Sequence, residues 1–285
     1  MDTQDLIDTI ANHLSGGSVI PYLGPGMLSL CPGATVPATP LALAEFMTAK
    51  VGVPHKIRKR LTQAAQFIEN FKHRKTVVQL MNEAFAAAPA PSPLHLALAS
   101  GGAGMWVDIW YDDTFAQAVA QVAPAGGWAQ TQGLSQSEHF GHWTGDYAAD
   151  GTVLPELPAG AKLLYRPLGG HAPAGNYLVS DSDFVEVLTE IDIQTPIPAA
   201  VQAWRTGRHF LFLGCRFDDQ LTRCFARQIM KRSSGQHWAV LPDEPTRMEA
   251  RFLQEQAITR IAMPLDAFAD ALLGDEAATL QMLSV

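Results

Sequence analysis

The chain has 285 residues, 47% of them hydrophobic and 17% charged, and a formal net charge of −8. Such a composition supports a sizeable globular core and excludes a mostly disordered chain. The acidic balance disfavours general nucleic-acid binding, and no apolar run reaches the ~18 residues of a membrane span.

In chain order, apolar residues at helical spacing over residues 5–14 predict a helix that stops at Gly16-Gly17. Residues 18–23 read as a buried strand that empties into Gly24-Pro25-Gly26. Pro40 starts a helix over residues 39–51, and the helical period returns at 61–71 and 76–85, giving a helical block over residues 39–88. Three prolines then break the pattern. Residues 105–110 are the next strand and 114–122 the next helix. Over residues 123–160 periodicity fades into Gly, Gln, Ser and Pro, which predicts an inserted loop region or small subdomain. Strands follow at 162–166 and 177–180, then helices at 181–188 and 197–205. The compact run "HFLFLG" is a strand ending at Gly214. A helix (218–231), a strand (237–242), a helix (247–256), a strand (258–263) and a last helix (265–273) complete the chain. This alternation predicts a single α/β, Rossmann-like domain over residues 1–285, with a mainly parallel sheet flanked by helices.

In such sheets ligands sit at the carboxyl ends of strands. Four turns fall there: Gly24-Pro25-Gly26, Trp110-Tyr111-Asp112, Leu168-Gly169-Gly170 and Gly214-Cys215-Arg216. A strand running into a glycine turn can bring backbone N–H groups to a phosphate, although Pro25 removes one donor. Arg216 at a strand end suits a phosphate, or equally an intramolecular ion pair. Asp112 reads as a ligand contact or as the cap of the helix at Thr114, and Asp218-Asp219 as a helix start. Cys31, Cys215 and Cys224 are widely spaced and read as small buried hydrophobes. His139, His142 and His171 are three histidines without matching carboxylate spacing, so no metal site is expected. The basic run at 55–60 reads as a solvated helix face, and the acidic start of the chain lacks a signal peptide, which predicts a cytoplasmic protein.

The order of the four turns resembles the sirtuin-like NAD-binding fold, in particular its divergent bacterial branch. Gly24 and Gly26 match the glycines of the family's first turn, and "GATVPATPLALAEF" is similar to the stretch that follows it. "DIWYDDTFAQAV" resembles the family's Asn-Tyr-Asp-Asp motif, and "LLYRPLGGHAPAGNYLVSDSDFVEVL" its Leu-His-Gly segment. "FLFLGCRFDDQLTRCF" is the nearest match, and the likeness spans residues 18–263. The resemblance implies a small nucleotide ligand, NAD or ADP-ribose, with cofactor contacts at Gly24, Pro25, Gly26, Trp110, Tyr111, Asp112, Leu168, Gly169, Gly214, Cys215 and Arg216.

The departures bear on chemistry. Trp110 stands where the family's ribose-positioning Asn is expected, and Leu168 where its general-base His is expected. Leucine has no proton to exchange, and an indole donates a hydrogen bond without accepting one. The cysteine zinc module of deacetylase sirtuins is missing, so neither zinc nor deacylase activity is expected. Three readings follow. The first is a pseudoenzyme that holds a nucleotide, as a sensor or accessory protein. The second is an NAD glycohydrolase in which His171, through a register shift, or Asp112 replaces the base. The third is an interaction or scaffold protein whose pocket Trp110 and Leu168 have filled, with a protein partner or a second copy of the chain.

Overall fold

The computed structural model describes residues 2–124, 126–136, 141–193 and 197–274. Among the described residues the main sheet has nine strands. They are β1 (Val19–Leu23), β2 (Met105–Asp108), β3 (Trp128–Gly133), β4 (Thr144–Ala148), β5 (Val153–Leu154), β6 (Lys162–Arg166), β9 (His209–Leu213), β10 (His237–Val240) and β11 (Ile258–Ile261). The short β7 (Gly169–Gly170) and β8 (Asn176–Tyr177) pair only with each other. Spatial order is β11-β10-β9-β1-β2-β6-β3-β4-β5. Every pair from β11 to β3 is parallel, and β4 and β5 are antiparallel additions at one edge. The fold is α/β and Rossmann-like.

Helices cover both faces, which is why the central strands are apolar throughout rather than alternating. Val19 and Leu23 of β1 point into a core shared with α1 (Thr3–Ser15), α4 (Pro93–Ser100), α5 (Thr114–Val122) and α10 (Leu265–Leu273). Ile20 and Tyr22 point the other way, into a core shared with α2 (Pro40–Lys50), α3 (Leu61–Ala84), α6 (Asp181–Ile193), α7 (Ala199–Arg205), α8 (Gln220–Met230) and α9 (Arg247–Glu255). No helix among the described residues is long and apolar enough to cross a membrane.

Two differences from the sequence expectations have physical causes. The segment 123–160, expected as an inserted loop region or small subdomain, contributes β3, β4 and β5 to the main sheet, and β3 pairs along its length with β6. Its "WAQTQG" has no apolar alternation: buried Thr131 donates to Asp146 Oδ1 at 2.6 Å and buried Gln132 Nε2 to Ala172 O at 2.7 Å, while Gln132 Oε1 has no hydrogen bond among the described residues. The proline-rich break hides α4, which Ser92 caps and Pro93 opens as a first-turn proline. The two helices expected at 61–71 and 76–85 are present as the two halves of α3, which meet at a break at His73 with φ 68° and ψ 155°.

The chain leaves β1 toward β2 and β6 on one side, and later fills β9, β10 and β11 on the other. Strand order therefore reverses between β1 and β9, where a doubly wound sheet opens its ligand crevice.

Candidate functional site

The first and fourth turns meet at that reversal. Gly24 N–H donates to Leu213 O at 2.9 Å, Gly26 N–H to Gly214 O at 2.9 Å, and Met27 N–H to Gly24 O at 3.1 Å. A Cβ on Gly26 would stand 2.9 Å from both Gly214 Cα and Gly214 O, and Gly214 itself sits at φ 64°. Glycine is needed here so that two backbones can touch. The first-turn N–H groups thus donate within the fold, and Pro25 has none to offer. Cys215 is buried beneath the turn, its Sγ 3.6 Å from Tyr22 O, and burial pushes its thiol up.

The second turn supplies the wall of the crevice. Ile109 N–H donates to Leu23 O at 2.9 Å, so the ends of β1 and β2 are locked side by side. Trp110 follows, only 4% exposed. Its Nε1 donates to Pro37 O at 2.8 Å, and its ring lies edge-on to Phe85 and tilted against Tyr111. Between Trp110, Gly24, Asp108, Asp112 and His95 remains a cavity of about 10 Å³, room for one water. Asp112 Oδ1 accepts from Thr114 N–H at 3.0 Å, so its carboxylate caps the start of α5. Burial raises its pKa against that bond and against Arg166.

The third turn is tied to the second by a charged network. Leu168 is buried among apolar side chains. Arg166, at the end of β6, is fully buried. Its Nη1 donates to Asp113 Oδ1 and Ala172 O, both at 2.9 Å, and its Nη2 to Asp112 O at 2.6 Å. Nε, 3.8 Å from Asp108 Oδ2, has no hydrogen bond among the described residues. Gly170 leaves room for this guanidinium, which a Cβ would strike. His171 then reaches back: its backbone N–H donates to Tyr111 O at 2.9 Å, and its Nδ1 lies 3.0 Å from Asp113 Oδ2. In the tautomer whose Nδ1–H donates to the carboxylate, Nε2 of this partly exposed imidazole is the acceptor, with no hydrogen bond among the described residues, which is the arrangement of an oriented base. Burial lifts Asp108 to about 7, with Arg166 pulling down and Asp112 pushing up.

Arg216 faces elsewhere. Its Nε and Nη2 hold buried Glu249 at 3.1 and 3.2 Å, and its Nη1 holds Asp243 at 2.8 Å. The ion-pair alternative is the one seen, because Glu249 has lost its water and needs a cation. Asp219 caps α8 through Leu221 N–H at 2.7 Å. Among the described residues no group of His, Cys, Asp and Glu is arranged to hold a metal; His139 lies outside them. Asp108, Asp113 and Arg166 escaped the sequence reading. The signal was present in "DIWYDD", three acids in six residues beside an arginine at a strand end.

A dinucleotide does not fit these residues as they stand. Ligand pockets run to about 300–1,000 Å³, whereas the cavity at this crevice is about 10 Å³, with the Trp110 indole as one of its walls. The profile of the SIR2-like domain family matches residues 105–261, more than half of the chain, and takes in the second, third and fourth turns. No curated protein matches the chain. SIR2-like domains generally bind NAD. On this match, the chain belongs to the SIR2-like domain family.

Proposed function

We propose that this sirtuin-like chain, with the Trp110 indole moved out of the crevice it now walls, holds NAD, ADP-ribose or a related nucleotide between β1 and β9 without turning it over, as a sensor or accessory protein. One observation carries the reading: the two positions that do proton work in the resemblance hold buried Trp110, whose indole donates to Pro37 O, and buried Leu168. Neither accepts a proton. Loss of a general base typically costs 10²–10⁴-fold in rate. The test is calorimetry and thermal shift with NAD, NADP, ADP-ribose and ATP, beside an assay for nicotinamide release. Binding without release is expected; at ligand a hundredfold above Kd the stabilisation is ~2.7 kcal/mol. Steady release of nicotinamide overturns the reading.

A second reading, an NAD-cleaving hydrolase, is favoured by the dyad of His171 and Asp113, which supplies an oriented base three residues beyond the expected position. Release that disappears in His171→Ala selects it. A third, an interaction or scaffold protein, is favoured by the closed crevice. Absence of binding by every nucleotide tested selects that one.

A further inference from the structure

We propose that Trp110 is an internal occupant of a ring-binding slot, which, with the indole displaced, takes a planar heteroaromatic ring carrying an N–H donor. The inference deepens the nucleotide reading, and rests on it only for what carries the ring.

The slot has three recognition elements. Phe85 presents its ring at 86° to the indole with centroids 6.0 Å apart, an edge-to-face contact. Tyr111 lies tilted on another side at 5.0 Å. Pro37 O closes the end, accepting the indole N–H at 2.8 Å. Two aromatic walls and one carbonyl acceptor select a flat ring with a donor, and they discriminate against a purely apolar ring, which leaves the carbonyl unpaired. The slot also opens on the crevice, since the same indole walls the cavity beside Gly24.

Pro37 belongs to the irregular segment between the 3-10 helix Pro25–Leu30 and α2. Among the described hydrogen bonds, the one from Trp110 is the only side-chain bond that ties residues 32–38 to the rest of the chain. The indole is therefore both occupant and latch. A free ring must compete with a tethered one, so apparent affinity falls by the fraction of molecules with the latch open. An adenine amino group and a nicotinamide amide share the required chemistry.

The experiment removes the occupant and offers its fragment. Trp110→Ala, shown folded by a cooperative melt, is titrated with indole and with indene, which has the same shape and no N–H. Indole binding about tenfold tighter than indene is expected, the worth of one hydrogen bond. Hydrogen exchange of residues 31–39 should rise in the variant and fall again with indole. Adenine and nicotinamide are then competed against indole, and the one that displaces it names the ring. Equal binding of indole and indene, no binding of either, or indole that neither ring displaces overturns the proposal. If Trp110→Ala does not fold, Trp110→Phe keeps the bulk and removes the donor. It should raise exchange in residues 31–39 about tenfold, and unchanged exchange overturns the latch. These probes contain no nucleotide. Indole binding with no response to NAD or ADP-ribose in either protein keeps the slot and rejects the nucleotide reading.

Discussion

Asp113 and His171 lie 58 residues apart in sequence, yet Oδ2 and Nδ1 meet at 3.0 Å. The same Asp113 binds Arg166 through its other oxygen, so one carboxylate orients an imidazole and neutralises a buried guanidinium. The two duties separate on mutation. Asp113→Ala leaves Arg166 short of its closest counter-charge and is expected to cost about 3–5 kcal/mol in chemical denaturation. His171→Ala, at a partly exposed position, is expected to cost about 1 kcal/mol or less. Whatever nicotinamide release the protein has should fall about 10²–10⁴-fold in both. Equal destabilisation by the two variants would contradict the division of roles.

Arg216→Ala tests whether this cation serves the fold or a phosphate. Burial pushes Glu249 upward, but bonds from Arg216 and from the Thr246 and Phe217 N–H groups outweigh it and leave its pKa lowered. Stability from that carboxylate is present above its unfolded pKa and is lost as pH falls through the lower folded value. The variant is expected to lose on the order of 1.5 kcal/mol, at the low end for a charged hydrogen bond because Arg216 is partly exposed. The loss should be seen at neutral pH and shrink in acid. Nucleotide binding should be unchanged, and a tenfold weakening at unaltered stability would return Arg216 to the ligand site.

Two buried histidines and one buried aspartate oppose each other in the dependence on pH. Burial holds His95 and His237 at about 4. Unfolded histidine titrates near ~6.5, so the unfolded chain binds more protons between the two values. Each histidine therefore removes about 1.4 kcal/mol per pH unit as pH falls through that window. Asp108 does the reverse: held at about 7, it keeps its proton in the folded state and weakens the fold as pH rises toward that value. Asp108→Asn removes the opposing effect. Its denaturation series should show an acid loss steeper than the parent's by up to about 1.4 kcal/mol per pH unit. Parallel slopes would mean that Asp108 is ionised in the fold.

His73 breaks α3 in a backbone region that glycine adopts freely and other residues rarely do, at φ 68° and ψ 155°. The next residue holds the break in place. Arg74 donates to Asp183 at 2.8 Å and Ser135 at 2.8 Å, and also to Tyr177 O. His73→Gly removes the strain without touching these bonds and is expected to stabilise the protein by about 1 kcal/mol. A melting temperature below that of the parent would show that the histidine side chain matters more than its backbone.

The alternation of apolar runs and helical periods was enough to give the α/β class and most element positions, because burial on both faces writes a strong signal into strands such as "HFLFLG". It failed at β3, where Thr131 and Gln132 are buried but bonded, and at α4, where a proline that opens a helix looks like one that ends it. The four turns were legible as turns at strand ends. Their partners were not.

What the sequence determined by itself is therefore the order of elements, the glycines at the first and fourth turns, and the resemblance to the SIR2-like family. Tertiary structure alone decided where charges and donors went. Gly26 N–H is turned to Gly214 O, Arg216 to Glu249, the Trp110 indole to Pro37 O, and His171 to Asp113. Each pairing joins residues between 33 and 188 positions apart. Local sequence fixes which group is available, but a donor takes the acceptor that folding brings within ~3 Å and shields from water. That choice is made by the parallel sheet, which gathers the ends of β1, β2, β6 and β9 at one edge.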